Sequence, residues 1–186
     1  MRIIPTALEG VVLVEPKVYH DDRGFFLETY RRDAYGRAGI GPDFVQDNHS
    51  RSQRGVLRGL HFQEPQAQGK LVQVVRGAIF DVVVDIRRGS PTFGRWIGVE
   101  LNGENHRQIW IPPGFAHGFL TLADGTDTTY KCTQAYAPQH EHTLLWNDPA
   151  LAIAWPDIGI PPRLSAKDAA GLRLADLKTL PVYAPG

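Results

Sequence analysis

The sequence predicts an all-β sandwich or barrel with a few short peripheral helices. Its middle is a series of short β-branched runs. Clusters of Gly, Pro, Asn and Asp separate those runs at close intervals. Helical patterns are confined to two short stretches, 31–39 and 164–177.

Taken in order, "GVVLVEP" near the start reads as an exposed strand that can pair across a dimer. "HDDRGFFLETY" reads as a strand punctuated by Arg23, Phe26 and Glu28. "RRDAYGRAG" is a short helix ending at Gly39. "FVQDNHS" is extended, with Gln46 and Asn48 on one side. "GVLRGLHFQ" (55–63) has the apolar content of a buried strand. "KLVQVVRGAIFDVVVDIRRG" gives two strands meeting at Arg76-Gly77. "RWIGVEL", "NGEN" and "HRQIWI" spell a hairpin with Asn-Gly in the turn. "PPGFAHGFLTL" and "TTYKCTQAY" continue the strand pattern across the turn "ADGTD". Residues 147–163, rich in Pro, Trp and Asp, wrap the body as an ordered arm. Ser165 then caps a helix that turns Leu172, Leu174 and Leu177 inward.

A chain of 186 residues suits one domain, 1–186, with a sizeable core and a C-terminal arm over 147–186. Twenty basic residues balance twenty acidic ones, so there is no general basic field, and nucleic acid is not an expected partner. Cys132 is alone, which excludes an internal disulfide framework and a Cys-based zinc site. The N-terminal apolar run is short and broken by Pro5, unlike a secretory leader. No stretch approaches the roughly 18 apolar residues of a spanning helix. A cytoplasmic protein with no membrane partner is the expectation.

The chemistry is concentrated where polar groups interrupt apolar strands. "GVLRGLHFQ" carries Arg58 and His61 into a buried run. "PPGFAHGF" has a P-x-G-x-x-H turn that resembles the second motif of the cupin barrels, whose His is a metal ligand. The first cupin motif supplies H-x-H and a Glu. Here Gln63 follows His61 at that spacing, and a neutral amide is a poor ligand for a transition metal. The metal site is therefore read as dismantled, with no metal and no cofactor. Each His alone is most simply a satisfied core histidine. Together with Arg58, Lys70 and Tyr130 they are costly to bury unless paired or serving a site. Arg58 and His61 are three residues apart, so a regular strand would send them to opposite faces. Both reach one pocket only if the strand is irregular at Gly59. Tyr130 and Tyr136 share a parity. Arg23, Phe26 and Glu28 also fit a salt-bridged surface, and Glu141 an exposed position. Asp168 would sit at N3 of the Ser165-capped helix, a favourable place for an anion whatever its function.

Six ordered stretches resemble one family: "DDRGFFLETY", "FVQDNHSRSQRGVLRGLHFQ", "QGKLVQVVRGAIFDVVVDIRRGSPTFGRW", "IPPGFAHGF", "YKCTQAYAPQHE" and "LSAKDA". They resemble the dTDP-4-dehydrorhamnose 3,5-epimerases, the RmlC-type deoxysugar epimerases of the cupin superfamily. The resemblance runs from about Gly10 to about Asp168. It implies a metal-free, cupin-type jelly roll that forms a homodimer with exchanged N-terminal strands. The implied substrate is dTDP-4-dehydro-6-deoxy-D-glucose, whose C4 ketone acidifies the protons at C3 and C5. The resemblance makes His61 the base, Asp168 its partner, Tyr130 the acid and Lys70 the cation beside the C4 oxygen. It assigns Arg23 and Arg58 to the pyrophosphate, with Glu28, Gln46, Asn48, His117, Glu141 and Lys167 as further ligand contacts. Phe26 is placed against thymine, and Tyr136 matches an aromatic position of the family. Relatives with other aromatics or altered sugar contacts invert only C3 or C5, so single inversion stays open here. A 3,4-ketoisomerase, a non-catalytic nucleotide-sugar-binding cupin and a metal-dependent dioxygenase are the other readings. Retention of His61, Tyr130, Lys70 and Asp168 argues against the non-catalytic one.

Overall fold

From residue 46 onwards most successive strands alternate between two facing sheets, in a computed structural model that describes residues 1–184. The strands are β1 (Arg2–Pro5), β2 (Val12–Glu15), β3 (Val18–Asp21), β4 (Gly24–Leu27), β5 (Gln46–Ser52), β6 (Leu57–Gln63) and β7 (Lys70–Arg76). There follow β8 (Ala78–Asp85), β9 (Trp96–Asn102), β10 (Gln108–Ile111), β11 (Phe115–Thr121), β12 (Thr126–Cys132) and β13 (Glu141–Thr143). The helices are α1 (Arg32–Arg37) and α2 (Ala166–Ala169). One sheet has the order β1-β2-β10-β7-β12-β5 and the other β13-β6-β11-β8-β9. Strands β3 and β4 pair only with each other. None of the described helices is long and apolar enough to cross a membrane.

Strand parity builds the core. Val72 and Val74 of β7 and Ile109 and Ile111 of β10 face Ile79 and Val83 of β8 and Phe115 and Phe119 of β11. Fully burying each such side chain stabilises the fold by about 1.5–3 kcal/mol. The opposite face of β8 carries Val82 and Val84, which lie under Leu144, Leu151 and Leu177. Burial on both faces explains why β8 reads as an almost continuous apolar run. Within residues 147–163, Ile153 and Trp155 pack on this second cluster.

Three expectations need correction. "RWIGVEL" and "HRQIWI" do not form a hairpin. β9 pairs with β8, whereas β10 lies in the other sheet between β2 and β7. Asn102 accepts from the backbone of Glu104 and Asn105, closing a loop that crosses between sheets. Gly103 is not left-handed, as a two-residue hairpin turn would require. Second, "GVVLVEP" is not an edge: β2 is flanked by β1 and β10, so β1 and β5 are the open edges of that sheet. Third, the C-terminal helix is one turn. Ser165 caps it as expected, accepting from Asp168 N at 3.1 Å. At Gly171 a side chain would meet the Leu145 backbone at 3.0 Å, and the chain leaves the helix to pair with residues 143–145. Leu174 and Leu177 pack inward, but Leu172 is 52% exposed.

The fully buried Asp85 locks the loop after β8. It accepts from Arg87 Nε and Nη2, and from the hydroxyls of Ser90 and Thr92 at 2.6 Å each. Burial alone would push its carboxyl up, but these donors overcome it and hold the group at about 2. Its contribution is therefore full above the unfolded carboxylate value of about 4 and is lost as the pH falls towards 2. Asp85→Asn should lower stability at pH 7 by about 3 kcal/mol, because Arg87 loses its ion pair. The loss should shrink in urea titrations repeated at pH 3; an equal loss at both pH values would show that ionisation is not its source.

Candidate active site

A cavity of about 600 Å³ opens between the sheets at the polar end of the sandwich. Inward parity on the six-stranded sheet supplies Gln46, Asn48 and Ser50 from β5, Lys70 from β7, and Tyr130 from β12. The facing sheet supplies Arg58 and His61 from β6 and His117 from β11. Lys167 and Asp168 close one side from α2.

Arg58 and His61 share this cavity because β6 slips by one residue. His61 pairs with His117 and Arg58 with Phe119, so three steps on β6 match two on β11. The extra residue restores a common face. Gly59 makes the slip possible. Its φ is +104°, and a Cβ there would lie 2.6 Å from the His117 carbonyl oxygen. Gly118 is its counterpart, since a Cβ there would lie 2.5 Å from the Arg58 carbonyl oxygen.

His61 Nε2 lies 2.5 Å from Asp168 Oδ1. Burial pushes the Asp168 carboxyl up, but the His61 hydrogen bond and charge outweigh it and hold the group low. An ionised Asp168 can only accept, so His61 Nε2 is the donor to it. His117 has a parallel arrangement, with Nε2 2.8 Å from Oδ2 of the fully buried Asp81. The other Asp81 oxygen has no hydrogen-bond partner. Sequence reading passed over Asp81, although an Asp inside "AIFDVVVDI" is the same signal that drew attention to Arg58.

Tyr130 faces these histidines from the other sheet, and burial pushes its phenol up, so it is protonated at neutral pH. Burial pushes the Lys70 ammonium down, while Glu141 and Asp81 pull it back. Arg58 Nε donates to Ser52 Oγ at 3.1 Å, and among the described residues its terminal nitrogens have no hydrogen-bond partner. Among the described residues neither Arg58 nor Lys70 has a carboxylate within ion-pair distance. The cavity is thus suited to an anion. Gln63, at the cupin ligand position, spends its amide on the backbone of Gln66, Ala135 and Ala137.

The mouth is cross-linked by hydrogen bonds. Gln46 donates to Asn48 and accepts from Tyr136 N. Glu141 accepts from the Tyr136 hydroxyl at 2.8 Å and from Lys167 Nζ at 2.8 and 2.9 Å. Arg23, Phe26 and Glu28 are not brought to this cavity within one chain. Arg23 is at the tip of the β3–β4 hairpin and pairs with Asp21 at 2.6 Å. Phe26 is 70% exposed on β4, and Glu28 just beyond it faces Arg31. The cause is that this hairpin joins neither large sheet.

Comparison with known proteins places this arrangement. A family profile described as dTDP-4-dehydrorhamnose 3,5-epimerase matches residues 5–176. A curated protein of that name from Pseudomonas aeruginosa is 54% identical over 182 residues, covering 97% of this chain and 100% of the relative. The crystal structure of RmlC from Legionella pneumophila, in complex with dTDP-4-keto-L-rhamnose, superposes with a TM-score of 0.96 at 53% identity and 99% coverage of both chains. ChmJ, a 3'-monoepimerase from Streptomyces bikiniensis in complex with dTDP-quinovose, superposes with a TM-score of 0.92 at 41% identity, covering 97% of this chain and 93% of its own.

Gly59→Ala should destabilise the protein by about 3 kcal/mol, from a left-handed backbone and a clash with a neighbouring strand. Urea denaturation measures it. A change under about 0.5 kcal/mol, the scale of an ordinary surface substitution, would mean that the β6 slip does not depend on glycine.

Proposed function

Because the chain belongs to the dTDP-4-dehydrorhamnose 3,5-epimerase family, we propose that it converts dTDP-4-dehydro-6-deoxy-D-glucose to dTDP-4-dehydro-L-rhamnose. The observation that carries this is one cavity receiving the His61–Asp168 pair from one side and the Tyr130 phenol from the facing sheet.

The C4 ketone makes the C–H bonds at C3 and C5 acidic. In the gluco-configured chair both hydrogens are axial on the same ring face. One base on that face and one acid on the other therefore serve both carbons. His61 Nδ1 takes the proton, and the C–H electron pair moves into a C=C bond while the carbonyl electrons move onto O4. Asp168 stabilises the resulting imidazolium. Lys70 neutralises the charge on O4, with His117, held by Asp81, as a second donor. Tyr130 then delivers a proton to the opposite face, and the carbonyl re-forms with the carbon inverted. The phenolate and the imidazolium exchange with solvent before the second carbon reacts. Only protons move, so the cycle needs no redox or metal cofactor.

The same reading gives Arg58 to the pyrophosphate, through the paired hydrogen bonds a guanidinium makes with phosphate. Gln46, Asn48 and Tyr136 attend the nucleotide at the mouth, with Glu141 and Lys167 beside them. The hairpin residues Arg23, Phe26 and Glu28 complete the site from a second copy in a homodimer, with Phe26 against thymine. Exposed aromatics on that hairpin, Tyr19, Phe25 and Phe26, support this role. The chain acts as one unit, in the cytoplasm, on a dTDP-sugar.

Single inversion is the second reading, favoured by the likeness to the 3'-monoepimerase. Product formed in heavy water decides between them: deuterium at both C3 and C5 supports double inversion, and label at one carbon supports the alternative. His61→Ala should reduce exchange at both carbons by about 10²–10⁴-fold, as expected for a lost general base, while calorimetry finds dTDP binding intact. Tyr130→Phe should lose net inversion more than proton removal; equal losses would take the acid role from Tyr130. Activity should survive dialysis against a chelator, and its loss with restoration by a divalent metal would favour a metal-dependent mechanism.

A further inference from the structure

Tyr136 stands at the cavity mouth on irregular backbone. Residues 134–137 lie between the end of β12 and the turn Pro138–His140, and they belong to no strand. Tyr136 is 51% exposed, yet it lines the cavity. A large side chain on a loop keeps one direction only where other groups hold its backbone.

Two amide side chains do this. The Ala135–Tyr136 peptide group is gripped at both ends. Its carbonyl accepts from Gln63 Nε2 at 3.3 Å, and its N–H donates to Gln46 Oε1 at 2.8 Å. The next N–H, that of Ala137, donates to Gln63 Oε1 at 2.9 Å. Gln63 therefore bonds the backbone on both sides of Tyr136, as a neighbouring strand would. Gln46 comes from the start of β5 and Gln63 from the end of β6, so the grip reaches the loop from both sheets. With the peptide groups on both sides held, the Cα–Cβ direction of Tyr136 is set, and only its side-chain torsions remain.

The second Nε2 hydrogen of Gln63 goes to the Gln66 carbonyl at 3.0 Å. Both amide hydrogens are thus engaged, and the side chain has no donor left for a ligand. Gln63 is 4% exposed and Ala137 7%, so the clamp is shielded from water. Buried peptide groups that lost this amide would stay unsatisfied unless the loop moved.

We propose that Gln63 is a positioning residue for Tyr136: its amide, bonded to Ala135 and Ala137, aims the Tyr136 ring across the mouth and so sets how tightly a dTDP-sugar is held. The proposal deepens the epimerase reading and rests on it, through the contact of Tyr136 with the ligand. Where a cupin would carry a metal ligand, this chain carries a backbone clamp.

Gln63→Met keeps the length of the side chain and removes all three hydrogen bonds. Gln63→Glu keeps an acceptor for Ala137 N–H and loses the donor to Ala135. Calorimetry with dTDP-glucose should find Kd raised about 3- to 10-fold in both variants, the worth of one aromatic contact. Tyr136→Ala should raise Kd by a similar factor. Adding Gln63→Met to Tyr136→Ala should change Kd by less than about twofold, because the two residues act as one unit. Gln63→Glu takes its place in this cycle if Gln63→Met does not fold. KM for deuterium uptake should rise with Kd, while kcat stays within about threefold. Amide exchange in the unliganded full chain gives a readout that needs no ligand. Ala137 N–H should exchange about 3- to 10-fold faster in Gln63→Met, the scale of one lost hydrogen bond, and stay protected in Gln63→Glu. A lowered Tm with Kd unchanged would make Gln63 a merely structural residue and overturn the proposal. Equal losses with and without the Tyr136 ring would overturn it too, as would unchanged Ala137 exchange. A fallen kcat at unchanged KM would place the effect at His61 instead and contradict it. Wild-type protein that binds no dTDP-glucose or takes up no deuterium would count against the epimerase reading.

Discussion

The site depends on a single slipped residue. At Gly59 the strand that carries Arg58 and His61 takes three steps where its neighbour takes two. A regular strand would bury one of these groups in the sandwich and turn the other away. The slip aims both at one cavity and sets His61 beside His117 across the ladder. It also brings β6 and β11 so close that only glycines fit at 59 and 118. A feature that looks like a defect in a strand is what makes the barrel interior a site.

The interior is divided accordingly. One part is a dry core of Val, Ile and Phe from both sheets. The other holds ionisable groups, and most of these come in pairs: His61 with Asp168, His117 with Asp81, Lys167 with Glu141. Pairing gives each of these groups a polar partner in place of the water it loses. Among the described residues Arg58 and Lys70 are the exceptions, which suits the cavity to an anionic ligand. The two unpaired cations also suit different parts of one molecule: a forked guanidinium for phosphate and a compact ammonium for an enolate oxygen.

Much of this was legible in the residues. β-branched runs and turn chemistry were enough for an all-β fold, and polar groups stranded in apolar runs marked Arg58, His61, Lys70, His117 and Tyr130. Gly59 announced the irregularity that parity demanded. Long-range pairing was less legible. The Asn-Gly after β9 has the local signature of a hairpin, but the apolar faces of β9 and β10 belong to opposite walls, and burial of those faces prevails over the turn. The C-terminal helix failed for a similar reason, since backbone pairing of Leu172 with residues 143–145 replaces helical hydrogen bonds. Asp81 was hidden by the strength of the apolar run around it. The positions of Arg23, Phe26 and Glu28 on a separate hairpin cannot be read from strand alternation, because among the described residues that hairpin pairs with no other strand.

The central claim is that an imidazole and a phenol address opposite faces of one ketose ring. The most direct test is a crystal structure of the protein with dTDP-glucose bound, in which a hydroxyl replaces the reactive ketone. The account predicts the hexose lying between His61 and Tyr130, with the C3 and C5 hydrogens towards His61 Nδ1 and the other face towards the Tyr130 hydroxyl. A sugar seated outside the cavity, or with both side chains on one face of the ring, would contradict it.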